Sequence, residues 1–264
     1  MISSIDALAT GSGSLVGFVL GLIGGGGSVL AVPLLVYVVG VRSPHVAIGT
    51  SAIAVALSAL AGLIGHARHH NVKWRCALVF AASGIIGAVI GSSLGKAFDG
   101  QRLLLLFGCL MLVIAAFMFF KKKGGGDPDI RLNRMSASRL LPLLLVYGLG
   151  VGMLSGFFGI GGGFLIVPGI MAATGMPLIF AIGSSLVSVV AFGATTAVNY
   201  ALSGLVDWQL AAWFIGGGII GGLLGRRAAM ALAPNRTHLS HIFAGIVAVV
   251  GVYVIARGWS ALGS

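Results

Sequence analysis

The feature that most constrains the fold is how long the chain runs without a charge. Residues 140–181 form a run of 42 residues with no charged side chain, and only 8% of the 264 residues are charged. A soluble domain has about 25% charged residues, whereas a helix that crosses a bilayer needs about 20 consecutive apolar residues. With 58% hydrophobic residues and a mean hydropathy of +1.10, the sequence predicts an all-α polytopic membrane protein.

The sequence also repeats itself, and two glycine clusters mark the repeat. Residues 21–33 read GLIGGGGSVLAVP, and residues 156–168 read GFFGIGGGFLIVP. Further matches follow at nearly the same spacing, among them AIGTS at 47–51 with AIGSS at 181–185. The motifs VKW and VDW, which end at Trp74 and Trp208, also correspond. We infer that one ancestral unit was duplicated, because such a periodic self-similarity extends far beyond a single motif.

Each half contains five apolar segments separated by polar or glycine-rich connections. The segments cover 7–23, 28–41, 45–66, 74–96 and 102–120 in the first half and 140–158, 163–175, 178–202, 207–231 and 238–257 in the second. This organisation predicts a first membrane repeat at 1–121, a basic cytoplasmic linker at 122–139 and a second membrane repeat at 140–264.

An odd number of segments per half predicts that the second repeat is inverted relative to the first. Charge tests this prediction, because Lys and Arg accumulate in cytoplasmic loops. Inverted repeats with a cytoplasmic linker place 12 Lys and Arg residues inside and four outside, whereas four simple spans per half give 10 and six. The charges therefore favour the inverted arrangement. We expect a multi-pass protein of the bacterial inner membrane with both termini in the periplasm.

The segment after each glycine cluster is too short to cross the membrane. Residues 28–41 and 163–175 would form helices of about 20 Å, against a hydrocarbon core of about 30 Å. A helix that begins near the midplane presents unpaired N–H groups and a partial positive charge. Glycines at that point let an anion approach the backbone. We therefore expect the first pair of segments in each half to be broken or re-entrant at its cluster, with a small anion bound between the two helix N-termini.

The predicted site combines backbone N–H groups of both clusters with hydroxyl groups at the start of the next helix. Close helix packing is the alternative for the glycines, and it is the better interpretation of isolated ones such as Gly87 and Gly221. Bonding to a preceding backbone carbonyl is the alternative for the hydroxyls. The candidate substrate-binding residues are Gly25, Gly26, Gly27, Ser28, Thr50, Ser51, Gly161, Gly162, Gly163, Ser184 and Ser185.

Two further polar residues lie in apolar segments and are candidates for the transport pathway. Asn199 is costly to leave unpaired in a membrane, so it either lines the pathway or staples helices together. His66 is the deepest of three histidines that end a segment at a basic loop. No carboxylate or thiol accompanies these histidines in the sequence, so we predict no metal site.

Other classes of function have no support in the residues. The chain has five acidic residues, all at segment ends or in loops, and it carries no paired carboxylates, nucleophile motif or phosphate-binding loop. We therefore predict neither an enzyme nor a cofactor. The net charge of +11 comes from short loops between apolar segments, which indicates contact with a lipid bilayer and not with nucleic acid.

At the glycine clusters and at the AIGTS and AIGSS motifs, the chain resembles the TauE/SafE family of sulfite and organosulfonate exporters. The resemblance covers nearly the whole chain. It implies a secondary transporter that exports a small sulfur oxyanion, such as sulfite or an organosulfonate, by alternating access. The two glycine clusters differ at two positions: the first has Gly25 where the second has Ile160, and it has Ser28 where the second has Gly163. A passive anion channel, a carrier of another small ion and a non-transporting membrane anchor are the alternatives, and a homodimer is left open.

Overall fold

The computed structural model describes residues 4–23, 25–120, 136–161, 163–231 and 236–262, and every regular element within these ranges is helical. The prediction of an all-α fold is confirmed. A 3-10 helix at Gly25–Leu30 precedes α2. The α-helices are α1 (Ser4–Ile23), α2 (Ala31–Tyr37), α3 (Pro44–Arg68), α4 (Trp74–Ala97), α5 (Gly100–Phe120), α6 (Ala137–Phe158), α7 (Gly163–Thr174), α8 (Leu178–Ala201), α9 (Trp208–Ala231) and α10 (Arg236–Leu262).

Six of the described helices are long and apolar enough to cross a membrane, judged by length and composition. They are α1, α3 and α4 in the first half and α6, α8 and α9 in the second, so the same positions of both halves carry them. The helices after the glycine clusters are short: α2 has seven residues and α7 has 12. The chain is a multi-pass membrane protein. Helix α6 begins at Ala137, within the predicted linker 122–139, most of which lies outside the described residues.

Two of the acidic residues start helices. The carboxylate of Asp99 accepts a hydrogen bond from the N–H of Arg102 at the beginning of α5 (3.0 Å). The carboxylate of Asp207 accepts one from the N–H of Leu210 at the beginning of α9 (2.9 Å). An acidic cap satisfies a free N–H group and complements the helix dipole. These carboxylates therefore have a structural role at helix ends.

The two halves are joined along two equivalent seams. Helix α1 packs along α9, and α4 packs along α6; α1 corresponds to α6 in the repeat, and α4 to α9. The helices of each pair are in backbone contact, because a Cβ on Gly221 would meet the backbone of Ser14 and a Cβ on Gly87 would meet the backbone of Leu149. Small residues permit such close approach in membrane helices. The packing interpretation of Gly87 and Gly221 is confirmed.

Counterpart helices also contact each other across the centre. Helix α3 packs against α8, and α5 packs against α10. Gly62 lies next to Leu186 near one end of the first pair, whereas Gly193 lies next to Ala56 further along. Residue numbers therefore fall along α8 as they rise along α3, and the two helices are antiparallel. The pair α3 and α8 passes through the middle of the molecule and positions the elements of the candidate site.

Candidate functional site

The first glycine cluster lies in the 3-10 helix that leads into α2. A Cβ on Gly27 would stand 2.5 Å from the backbone nitrogen of Leu20 and 2.7 Å from the carbonyl oxygen of Val16. Only a residue without a side chain lets this element lie directly on the backbone of α1. The predicted site residues in the 3-10 helix are Gly25, Gly26, Gly27 and Ser28, of which Ser28 is fully buried.

The second cluster has a different backbone. Gly159 ends α6 with a φ of 66°, and the N–H of Ile160 donates to the carbonyl of Ser155 (3.2 Å), which closes the helix end. Gly161 is again left-handed, with a φ of 63°. Glycine is the residue that adopts this region without strain. Helix α7 then begins at Gly163, which is buried.

The elements that adjoin the two clusters contact each other. The 3-10 helix of the first half packs against α7 of the second. A Cβ on Gly161 would lie 2.8 Å from a methyl group of Val55 in α3 and 3.7 Å from one of Val189 in α8. The second turn therefore lies against α3 and α8, next to α7. Gly162 belongs to the predicted site but lies outside the described residues.

Thr50 and Ser184 form equivalent hydrogen bonds between the halves. The hydroxyl of Thr50 accepts from the backbone N–H of Asp207 (3.1 Å). The hydroxyl of Ser184 accepts from the backbone N–H of Lys73 (2.9 Å). Each bond ties the start of α3 or α8 to the residue that precedes α9 or α4 in the other half. These oxygens thus act as acceptors between the repeats, and a contact with substrate stays a prediction.

Ser51 and Ser185 bond within their own helices. Ser51 donates to the carbonyl of Ile48 (3.0 Å), and Ser185 donates to the carbonyl of Ile182 (2.8 Å). Both bonds reach back three residues, as hydroxyl side chains in apolar helices commonly do. A bond to a preceding backbone carbonyl was the alternative to substrate contact for these hydroxyls, and the structure has this bond. Contact with a substrate would require them to exchange this bond.

Four other hydroxyl groups in the second half are buried, and the sequence patterns did not indicate them as candidate site residues. Each is fully buried, and among the described residues none of these oxygens has a hydrogen-bond partner. The positions equivalent to two of them are Leu20 and Ala54 in the first half. A serine at a position where the other repeat has an apolar residue is the sequence signal that could have identified Ser155 and Ser188. The four residues are Ser155, Ser188, Thr196 and Tyr200.

Asn199 staples α8 to α4. Its amide donates to the hydroxyls of Ser92 (2.6 Å) and Ser93 (3.1 Å). The ammonium of Lys96 donates to the side-chain oxygen of Asn199 (2.7 Å) and to the hydroxyl of Ser203 (2.7 Å). These contacts agree with the alternative in which Asn199 holds two helices together, and they lie where α4 and α8 end. The pathway candidate His66 is half-buried in the last turn of α3.

Comparison with known proteins identifies the family. The family described as "Sulfite exporter TauE/SafE" matches residues 9–254. The chain belongs to this family. It is 51% identical over 252 residues to a "Probable membrane transporter protein" of Xylella fastidiosa (strain Temecula1 / ATCC 700964), covering 96% of this chain and 95% of that one.

More distant relatives carry the same kind of name. "Probable membrane transporter protein YunE" of Bacillus subtilis (strain 168) is 27% identical over 269 residues, with 93% of this chain and 96% of that one covered. A "Probable membrane transporter protein" of Haemophilus influenzae (strain ATCC 51907 / DSM 11121 / KW20 / Rd) is 28% identical over 200 residues, with 73% and 72% covered. No solved structure matches this chain. The chain is a membrane transporter.

The interior of this TauE/SafE protein is nearly free of charge. In the part of the chain that the structure describes, the polar side chains of buried residues are hydroxyls of Ser and Thr and that of Tyr200, apart from Asp6 near the N-terminus. No group of three or more His, Cys, Asp or Glu that could hold a metal occurs among the described residues. A charged substrate at the glycine clusters would therefore meet backbone dipoles and hydroxyl groups and no opposite side-chain charge.

Proposed function

We propose that this TauE/SafE protein is a secondary transporter that exports a small sulfur oxyanion, such as sulfite or an organosulfonate, across the bacterial inner membrane. The packing of the 3-10 helix, which contains the first cluster, against α7, which begins after the second, is the observation that carries the proposal. Family membership supports a sulfur oxyanion as the substrate class.

Backbone groups supply most of the binding in this proposal. Helix α7 begins after two left-handed glycines, and the first N–H groups of a helix have no partner within it. They carry a partial positive charge that attracts an anion. In this proposal the N–H groups of the first cluster contact the anion from the other half, and the hydroxyls of Thr50, Ser51, Ser184 and Ser185 add further contacts. A neutral cage of this kind can bind an anion and release it again, since no fixed cation holds it.

The two halves are proposed to insert in opposite orientations. The antiparallel packing of α3 against α8 supports this, because corresponding helices then cross the membrane in opposite directions. Basic side chains at one end of the molecule include Arg68, Lys73 and Arg75, around the connection between α3 and α4. Lys96 lies at the other end of α4, with fewer basic residues around it. The positive-inside rule assigns the Arg68 end to the cytoplasm and both termini to the periplasm.

Alternating access would use the equivalent bonds between the halves. The Thr50 bond joins the start of α3 to the start of α9, and the Ser184 bond joins the start of α8 to the start of α4. Since α3 and α8 are antiparallel, the two bonds lie toward opposite ends of the molecule. Opening one end while the other stays closed would expose the glycine clusters to one side at a time.

Reconstitution into liposomes tests the proposal. We expect the wild-type protein to give saturable sulfite transport with counterflow, in competition with sulfoacetate and thiosulfate. Gly26→Leu and Gly161→Leu should abolish this transport while the protein still inserts. Gly150→Leu is the matched control, because Gly150 is exposed on α6 and a Cβ there would meet nothing within 4 Å.

Further transport measurements separate the carrier from the alternative functions. Unitary sulfite currents in planar bilayers without counterflow would replace the carrier with a channel. Transport of a cation with no response to any sulfur oxyanion would contradict the proposed substrate class. Normal transport by both Gly26→Leu and Gly161→Leu would show that the glycine clusters are not the binding site.

A further inference from the structure

Several hydroxyl groups in the described helices bond to their own helix. Such a bond satisfies a polar group in an apolar setting at little cost. Seven side chains donate to a carbonyl three or four residues earlier: Thr10, Ser51, Ser83, Ser92, Thr174, Ser185 and Thr195. A buried hydroxyl that does not do so needs another explanation.

Ser155 and Ser188 are two buried hydroxyls that do not form this bond. Both residues are 0% exposed, and neither hydroxyl has a hydrogen-bond partner among the described residues. A backbone carbonyl is within reach of every serine in a helix, as Ser185 shows one turn before Ser188. Leaving a buried hydroxyl unpaired is unfavourable. Each of these two buried hydroxyls therefore remains available to a ligand.

Both serines are close in the chain to residues that form or contact the second glycine turn. The carbonyl of Ser155 accepts the N–H of Ile160 within that turn. Ser188 directly precedes Val189, whose side chain faces Gly161. Two different helices, α6 and α8, thus carry a serine with an unpaired, buried hydroxyl beside the residues that form or contact the turn before α7. The 12-residue length of α7 gives it a developed dipole at that end.

The first half offers no equivalent of these two groups. Leu20 stands at the position of Ser155, and Ala54 stands at the position of Ser188. An apolar side chain is therefore compatible with the same place in the repeat. The two serines are not required by the packing of the repeat, and a ligand held by them would lie closer to the second cluster than to the first.

We propose that the hydroxyls of Ser155 and Ser188 donate hydrogen bonds to oxygen atoms of the transported oxyanion, which binds at the second glycine turn. The inference rests on the proposed function and names the side chains that bind its substrate. A small oxyanion such as sulfite has several oxygens, so it can accept from both hydroxyls and from N–H groups of α7 at the same time. An apolar molecule or a metal cation would not use these donors.

Alanine variants test this subsite on the detergent-purified full chain, with sulfite as the probe in titration calorimetry and sulfate as a second anion. We expect Ser155→Ala and Ser188→Ala each to raise the Kd for sulfite by about 10-fold or more, the effect of one lost hydrogen bond to a charged group. The double variant should deviate from additivity, because both hydroxyls would hold the same ion.

Thermal stability without anion supplies a second measurement. Removing an unpaired hydroxyl should leave the Tm of Ser155→Ala and Ser188→Ala unchanged or higher. Ser83→Ala is the matched control, because the hydroxyl of Ser83 is buried and bonds the carbonyls of Phe80 (3.1 Å) and Leu144 (3.4 Å). This control should lower the Tm and leave the Kd for sulfite unchanged. An isosteric cysteine variant replaces any alanine variant that is not recovered.

The outcomes distinguish this inference from the proposed function. Wild-type protein that binds and transports sulfite, with the same Kd in Ser155→Ala and Ser188→Ala, would refute the hydroxyl subsite and leave the function standing. A fall in Tm comparable to that of Ser83→Ala would also refute it, because the hydroxyls would then serve the fold. Wild-type protein that neither binds nor transports any sulfur oxyanion would refute both.

Discussion

The two glycine clusters have nearly the same sequence but different backbones. The first forms a 3-10 helix that lies on α1, and Gly27 contacts the α1 backbone. The second forms a turn with two left-handed residues, Gly159 and Gly161, which contact side chains of α3. Ile160, 1% exposed, fills a place where the first copy has Gly25. The glycines that can be described thus differ between the clusters in whether they contact backbone or side chains.

The largest effect is expected where a glycine touches backbone. Gly27→Ala would place a Cβ 2.5 Å from the nitrogen of Leu20 and 2.7 Å from the oxygen of Val16, and neither atom can move without shifting α1. We expect a loss of about 3 kcal/mol in the free energy of unfolding, the upper part of the range for overpacking. An SDS titration of the purified protein measures it.

Gly150→Ala is the control for this substitution, since its Cβ would enter open space. Alanine there should be neutral or stabilise the helix by up to about 1 kcal/mol. Equal stability of Gly27→Ala and Gly150→Ala would show that the first cluster does not lie on α1 as described.

A smaller and reversible effect is expected in the second cluster. Gly159→Ala would bring a Cβ against the side chain of Ile48 and would hold alanine at a φ of 66°. We expect a loss of about 2 kcal/mol, of which about 1–2 kcal/mol is the backbone strain. Because the obstacle is a side chain, Ile48→Ala should relieve the clash, and the double variant should be more stable than the sum of the single effects predicts.

A double-mutant cycle by SDS titration measures this coupling. Val16→Ala provides the comparison in the first cluster, because it leaves the carbonyl oxygen that Gly27→Ala would meet. Rescue of Gly27→Ala by Val16→Ala, or strict additivity of Gly159→Ala with Ile48→Ala, would contradict the difference between the clusters.

The sequence predicted the parts of this molecule that local patterns control. Charge-free runs predicted the helices, and the short segments after the clusters became α2 and α7. The repeat also predicted correctly that Gly87 and Gly221 serve packing. Glycine does not determine the sign of its own φ, however, so the left-handed turn at Gly159 was not predictable. Neighbours in the fold select that conformation.

Contacts between distant residues were also beyond the sequence. Thr50 and Asp207 are far apart in the chain, and nothing in either motif indicates that a hydroxyl of one half accepts the N–H of the other. The unpaired hydroxyls of Ser155 and Ser188 become visible only when burial and hydrogen bonds are known. The repeated sequence motifs therefore indicate a candidate site, whereas the hydrogen bonds of its side chains depend on the tertiary structure.

The hydrogen bonds of Thr50 and Ser184 between the halves should contribute equally to the free energy of unfolding, whereas the glycine substitutions in the two clusters should differ in their effect. Thr50→Val and Ser184→Ala each remove one acceptor for a backbone N–H, at 3.1 Å and 2.9 Å. We expect each variant to lose about 1 kcal/mol in the free energy of unfolding, the usual net value of such a bond. Losses that differ by more than about 1 kcal/mol between the two variants, measured by SDS titration, would show that the repeats are joined unequally at their two ends.

The smallest effect is expected at the staple between α4 and α8, which only one half contains. Lys96 donates to Asn199 and Ser203, and Met230 occupies the equivalent position of the other half. The substitution Lys96→Met therefore places in the first half the residue that the second half has at this position. Since Lys96 is only half-buried, we expect a loss of about 0.5 kcal/mol, at the lower end for a hydrogen-bonded group. Lys96→Arg, which retains a donor, should lose less. A loss above about 2 kcal/mol in Lys96→Met would mean that this end of the molecule depends on the staple, and that the two ends open at different energetic cost.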